Sequence, residues 1–389
     1  MYDYMINALK NEKAIDAFDM LNIYKNRNCK LPVLRPIIVM QKIKSNFILK
    51  SILYVLTLCW IVLYPLLMVF KLVQYIKKLN NDLYNIDKNS SSMIIATSIR
   101  VETVIGGIDK ELIPSIYLEV PWVNINKLNL TKIELMSVLN FYDLLKAFAY
   151  SIKGIFISLK DIKHPVEVLQ TYVLFEYFML YIGLKKLKKE NITSYWYSNH
   201  YDRWSVLLDS IGKNNVPLQH GFVNDRFELP YKLKNIKTLY HIDKNSVEIF
   251  KNNIIDNNSN IDTIQLKNTL KLQPVDNKDK SIFLISRPAQ LEFDIELIKI
   301  LNELDIVSYI KPHPLFDKNP YRKAFALNDK CILIEDNGYY PDVDIVLSGY
   351  STLAIEYELL GKKIIWIPKE NLKTVKEKII KHIEGDNSV

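Results

Sequence analysis

Cysteine is scarce in this chain: three residues in 389, Cys29, Cys59 and Cys331, far apart from one another. That excludes a disulfide framework and a cysteine-based metal cluster, and it fits a reducing compartment. Glycine (10) and proline (15) are too few for a fibrous or low-complexity protein. There is no dense basic run interleaved with aromatics and no zinc-finger spacing, so nucleic acid is not expected as a partner. The opening residues, with Asp3, Lys10, Glu12 and Asp16, lack the apolar core of a signal peptide.

What is present is a 49% hydrophobic chain, enough for two domains with cores of their own. Its formal net charge of +8 favours anionic partners, either anionic lipid or phosphorylated substrates. The segment 51–70 carries no charge and matches the ~20 residues that cross a bilayer. Lys42, Lys44 and Lys50 precede it, and Lys71, Lys77 and Lys78 follow. Trp60 and its tyrosines are interface-seeking rings. A membrane-associating segment is expected here, spanning or lying in one leaflet, with Pro65 allowing a kink. The plain alternative is a buried core helix.

From 92 onward, short apolar runs alternate with helical periodicity. Runs at 93–98, 115–120, 194–199, 216–221 and 238–242 read as strands, and 135–188 as mostly helical. The stretch 169–184 is rich in aromatics but carries Glu176, which favours a core helix over a second membrane contact. After a polar, Asn-rich stretch the alternation resumes, with strands at 281–286, 307–311, 331–335, 344–348 and 363–367. Strict alternation predicts parallel, doubly wound sheets. The expected class is α/β: an N-terminal helical region (1–90), a first domain (91–256), a linker (257–280) and a second domain (281–389).

Ligands of such sheets bind outside the carboxyl ends of the strands, so the strand ends carry the candidates. Lys311-Pro312-His313-Pro314 follows a strand, and His313 between two prolines is suited to hydrogen-bond a phosphate or protonate a leaving group. Ser348-Gly349-Tyr350-Ser351-Thr352 joins a strand to a helix. Gly349 permits the tight turn, and Ser351 and Thr352 open a helix whose free amides attract phosphate; plain N-capping is the alternative. Gln219-His220-Gly221 places His220 as a base or a phosphate ligand, against a purely structural turn. Asp202 is a second candidate base or a helix cap. Arg287 is a phosphate contact or a solvated charge. Glu356, one turn into the helix, is a ribose ligand or a surface charge. Asp342-Val343-Asp344 spells a metal–diphosphate motif but precedes a buried strand, so no metal is expected.

The KPHP turn, the SGYST helix start and the run ELLGKKIIWI together resemble the second domain of bacterial surface-polysaccharide transferases. These include the sialyltransferase and Kdo-transferase families with an HP motif, and the CDP-glycerol and CDP-ribitol phosphotransferases of teichoic acid synthesis. QHG is similar to a turn in their first domain. The resemblance covers roughly 194–368 and implies a GT-B fold, two Rossmann-like domains facing a cleft. It implies that His313, Ser351 and Thr352 contact the donor phosphate. It also implies that His220 is base or phosphate ligand. The sialyltransferases' acidic pair followed by Gly is not found in the first domain; Glu335-Asp336-Asn337-Gly338 is nearest, in the second.

The expected activity is an inverting, metal-independent glycosyl transfer at the cytoplasmic face of a bacterial inner membrane, in capsule or lipopolysaccharide synthesis. The donor is a nucleotide-activated sugar, CMP-linked by preference, and no further cofactor is expected. The acceptor is a lipid-linked or polymeric glycan. Transfer of a polyol phosphate from a CDP-polyol is the nearest alternative. A UDP-sugar transferase, a sugar-nucleotide epimerase and an inactive membrane scaffold stand behind it.

Overall fold

The computed structural model describes residues 1–22, 47–80, 86, 90–160, 165–198, 202–256, 260–276, 281–286, 291–312, 319–325, 330–336, 338–349, 351–367 and 371–383. The chain divides into two compact units, Met1–Phe18 with Arg35–Lys267, and Asp19–Leu34 with Asn268–Val389. The two units divide at Lys267/Asn268, inside the stretch read as a linker.

Unit 1 begins with helices α1 (Tyr2–Asn22) and α2 (Phe47–Ile76). Then come β1 (Ser92–Ala96), α3 (Arg100–Ile105), β2 (Ile116–Glu119), β3 (Thr131–Glu134) and helices α4 (Leu135–Val138) and α5 (Phe141–Ser158). A 3₁₀ segment (Pro165–Val173), α6 (Leu174–Lys189), β4 (Ser194–Tyr197), α7 (Arg203–Ile211) and β5 (Val216–Pro217) follow, then β6 (Thr238–His241), α8 (Lys244–Ile249) and β7 (Asp262–Gln265). Five strands form one parallel sheet in the order β3-β2-β1-β4-β5. Bridges from Asn215 to Ile236 and from Leu218 to Tyr240 join it to the parallel pair β6–β7. β7 falls in the stretch expected to be a polar linker, because backbone pairing with β6 needs no apolar side chain, and its four residues are all exposed.

The strands divide their side chains between two cores because successive residues point to opposite faces. Met93 and Ile95 of β1 enter a large cluster with α1, α2, α5 and α6, while Ile94 and Ala96 enter a second one with α3. A strand covered on both faces reads as a continuous apolar run, which is why 93–96 shows no alternation. Helix α6 is a core helix: Phe175, Tyr177, Phe178, Met179 and Leu180 are all buried. Helix α5 starts with a capping box, Asp143 N donating to Asn140 Oδ1 (3.0 Å) and Asn140 N to Asp143 Oδ2 (2.9 Å).

The N-terminal helices belong to this body. Met5, Ala8 and Ile15 of α1 and Tyr64, Met68 and Tyr75 of α2 are buried in the large cluster. Trp60 Nε1 donates to Thr171 Oγ1 (3.0 Å), and Lys71 pairs with the buried Glu176 (2.6 Å). Among the described residues, no helix is long and apolar enough to cross a membrane.

Unit 2 contains β8 (Ser281–Ile285), α9 (Leu291–Glu303), β9 (Val307–Lys311), α10 (Asn319–Phe325), β10 (Cys331–Leu333), β11 (Ile345–Ser348), α11 (Thr352–Leu359), β12 (Lys363–Trp366) and α12 (Leu372–Ile383). Its sheet is parallel, in the order β10-β9-β8-β11-β12. Ile282 and Leu284 face one core and Phe283 and Ile285 the other, so this sheet too is covered on both sides. Numbered within each unit, both sheets run 3-2-1-4-5. The fold is mixed α/β with two Rossmann-like parallel sheets, and the strand order reverses between β1 and β4 in one and between β8 and β11 in the other.

Candidate functional site

In an open parallel sheet the chain leaves the two strands flanking the reversal in opposite directions, which opens a crevice at their carboxyl ends. In unit 1 this crevice gathers Arg100 after β1, Ser198 after β4 and His220 after β5. His220 Nδ1 hydrogen-bonds the Ser198 carbonyl oxygen, and Arg100 Nη1 hydrogen-bonds His220 Nε2. A carbonyl only accepts, so Nδ1 carries the proton, and Nε2 is left as the acceptor of the guanidinium N–H. Burial, and then the Arg100 charge, pull the half-buried imidazole down to about 4, with the Ser198 bond opposing. His220 is therefore neutral at pH 7, with its one lone pair aimed at a cation.

The turn that presents His220 is held by Gln219, whose side chain is fully buried. Gln219 Oε1 accepts from Ile242 N (2.8 Å), and Nε2 donates to Gly221 O (3.0 Å) and Ser246 Oγ (2.8 Å). Ser198 is buried, and its Oγ has no hydrogen-bond partner among the described residues. Arg100 is exposed and uses one guanidinium N–H on His220. A guanidinium has five such donors, so the pair can take up a phosphate or carboxylate oxygen without dismantling the turn.

Asp202 caps α7: its Oδ1 accepts from Trp204 N (2.9 Å) and Ser205 N (3.2 Å). This is the capping role weighed in the sequence, and the base role gains no support from these bonds. Arg203 is committed elsewhere, its N and Nη2 donating to Glu12 of α1 (2.9 and 2.8 Å). Residues 199–201 lie outside the described residues.

In unit 2, the residues at the reversal are Ser286 after β8 and the turn after β11. Ser286 Oγ donates to Asp294 Oδ2 (2.5 Å) and also meets the Tyr321 hydroxyl, which donates to the same carboxylate (3.0 Å); all three are buried. Ser348 is buried and donates to Gly349 O (2.7 Å), closing the turn. Ser351 stands at the N-cap of α11 with extended backbone, but its side chain makes no cap bond. Thr352 begins the helix. Glu356, half-buried one turn further on, has its carboxyl pushed up to about 7 by burial, and that carboxyl has no hydrogen-bond partner among the described residues. Its backbone oxygen accepts from Asn268 Nδ2 (2.6 Å). His313 and Arg287 lie outside the described residues. Lys311, which opens the KPHP turn, donates to Asp336 O (3.2 Å) and Tyr339 O (2.9 Å) and lies 4.1 Å above the Tyr340 ring.

No family model matches the chain, and no curated protein matches it either. The chemistry of the site is thus carried by its own residues.

Sequence reasoning passed over Arg100 and Lys362. Arg100 stands four residues past β1, a strand end that the crevice rule marks but that no recognisable motif decorates. Lys362 pairs with both Asp342 (2.5 Å) and Asp344 (3.5 Å), which explains the Asp-Val-Asp spelling as an ion-pair clamp at the foot of β11.

Proposed function

We propose that the chain is a glycosyltransferase of bacterial surface-polysaccharide synthesis, its two units acting as the halves of a GT-B enzyme. Unit 2 takes the nucleotide-activated sugar, CMP-linked by preference, and unit 1 takes the glycan acceptor. The observation that carries this reading is the repeated sheet: the order 3-2-1-4-5 occurs twice, the SGYST turn follows β11 at one reversal, and the QHG turn follows β5, next to the strand β4 that flanks the other.

In the proposed reaction the acceptor hydroxyl oxygen attacks the anomeric carbon, and the bond from that carbon to the nucleotide phosphate breaks. The phosphate leaves with the bonding electrons and is received by the amides and hydroxyls at the start of α11, where the helix dipole favours negative charge. His313 and Arg287 are assigned to the same phosphate. Glu356 is assigned to the ribose hydroxyls. The hydroxyl proton goes to His220 Nε2. An anionic substrate group on Arg100 draws the guanidinium away from that lone pair, and neutralising its charge raises the basicity of the ring toward the range useful for general base catalysis.

The test is thermal stabilisation by CMP, CDP, UDP and GDP, each with and without EDTA, since a ligand of the folded state raises the melting temperature with its affinity. Selective stabilisation by CMP, unchanged by EDTA, is the expected result. A UDP or GDP preference replaces the donor. No shift with any nucleotide overturns the reading in favour of an inactive scaffold. The exposed guanidinium of Arg100 also suits an acceptor that bears phosphate, which favours a second reading, polyol-phosphate transfer from a CDP-polyol. A stronger response to CDP and a phosphodiester in the product identify that reaction.

A further inference from the structure

Helix α2 is apolar on both sides, and among the described residues one side is buried and the other exposed. Thr57, Trp60, Tyr64, Met68, Lys71 and Tyr75, spaced three and four apart, form the face seated on unit 1. Ile52, Val55, Leu58, Val62, Leu66 and Val69, with the same spacing, form the opposite face and are exposed, Val62 to 70%. At 1.5 Å per residue the helix is about 45 Å long. The exposed apolar strip from Ile52 to Val69 covers about 26 Å of that length, and such a strip marks an interaction surface.

Helix α5, packed alongside α2, adds a second stripe. Tyr142, Leu145 and Phe156 are exposed on it. Lys146 and Lys153 are exposed on it too, seven residues apart and so on one side of the helix, and Lys160 is exposed two residues beyond its end. None of the three makes an ion pair among the described residues; Lys153 lies 5.4 Å above the Tyr2 ring. An open groove of about 620 Å³ runs here, lined by Phe148, Ile152, Phe156 and Ile157 with Lys153 and Lys160.

We infer that unit 1 docks flat on an anionic lipid bilayer. The outer face of α2 enters the acyl boundary, and the lysines of α5 and Lys160 meet lipid phosphates. Charge complementarity selects this occupant: an exposed apolar strip on α2 and exposed lysines on the helix packed against it, in a chain of net charge +8, match a surface that is apolar inside and anionic at its edge. The inner face fixes the orientation. The Lys71–Glu176 pair and the Trp60–Thr171 bond hold α2 along the body of unit 1, so it lies in one leaflet. This docking stands whether or not the protein transfers a sugar.

The experiment is cosedimentation of the purified full-length chain with phosphatidylcholine vesicles and with vesicles containing phosphatidylglycerol, at low and high salt. Binding to the anionic vesicles, weakened by salt, is expected. Lys146→Glu, Lys153→Glu and Lys160→Glu together should weaken it by about fivefold or more per lysine. Val62→Asp with Leu66→Asp should abolish binding to both vesicle types with an unchanged circular dichroism spectrum. If that double variant misfolds, the lysine variants, all at exposed positions, decide the matter. Absence of sedimentation, or sedimentation that neither set of variants alters, overturns the proposal. So does a dimer that Val62→Asp with Leu66→Asp converts to monomer without loss of vesicle binding, because the face is then covered by a second copy.

Discussion

The two units share a sheet order but finish their crevices differently. In unit 1 three helix starts are closed by the chain's own side chains: Asp202 caps α7, Asn140 caps α5 and Asp243 caps α8, while α3, which starts after β1 at the reversal, has no side-chain cap bond. Its polar groups at the reversal are side chains, Arg100 and His220, braced by a fully bonded Gln219. In unit 2 the helix that starts at the reversal has a serine at its cap that does no capping, and a half-buried carboxyl one turn on that has no hydrogen-bond partner among the described residues. One fold thus builds polar sites by two routes, through charged side chains in unit 1 and through a helix end with incomplete local bonding in unit 2.

The largest contrast is catalytic. His220→Ala should lower transfer by about 1,000-fold, within the range for loss of a general base, with a melting temperature near the parent's. Ser351→Ala should act mainly on donor affinity, about 10-fold in KM. Steady-state kinetics with one donor and acceptor pair distinguish these outcomes, and equal effects on kcat would erase the division of roles.

Stability sharpens the comparison next. Asp209, fully buried, accepts from Lys234 N (2.9 Å), Asn235 N (2.6 Å) and the Tyr231 hydroxyl (3.0 Å). Asp209→Ala strands three donors and should cost about 3 kcal/mol in urea unfolding. Asp294→Ala in unit 2 should cost less, about 1–2 kcal/mol, because Ser286 and Tyr321 keep each other as partners.

The pH responses should have opposite signs. His220 is held at about 4, below its unfolded value of 6.5, so its contribution is complete above pH 6.5 and is lost as pH falls toward 4. Glu356 is raised from 4.5 to about 7, so the folded state binds the extra proton between these values, and stability falls as pH rises through that window. Glu356→Gln should remove the decline and His220→Asn the rise, each about 2–3 kcal/mol across its window, measured by denaturant titration at pH 4 to 8.

The smallest effect concerns caps. Asn140→Ala should cost about 1 kcal/mol because it breaks a capping box. Ser351→Ala should cost less than about 0.5 kcal/mol, since no cap bond is lost. Differential scanning calorimetry resolves the two, and a large loss at Ser351 would show that α11 is capped after all.

The parallel sheets were legible because buried strands announce themselves. SIFLI, VSYIK and IVLS are apolar runs that end in turn residues, and 93–96 reads the same way. β3 and β7 were not legible. TKIE and DTIQ are mostly polar edge strands held by backbone bonds, which leave little mark on side-chain pattern. At the site, the QHG turn was visible from Gly221 and its strand. Arg100 was not, because a lone arginine after a strand resembles any solvated charge until the fold brings His220 beside it. Asp202 fits a base in sequence, yet it caps a helix, and Arg203 beside it anchors α1. Only three-dimensional partners distinguish those uses of the same residue types.

The seating of α2 also sets an order of events during synthesis. Lys71 precedes Glu176 by 105 residues and Trp60 precedes Thr171 by 111. At 5–20 residues per second, both faces of this helix stand bare for about 5–20 s before the ribosome delivers the residues that cover one of them. In that interval the apolar faces of α2 are open to a bilayer surface or a chaperone, until the emerging α6 covers one of them.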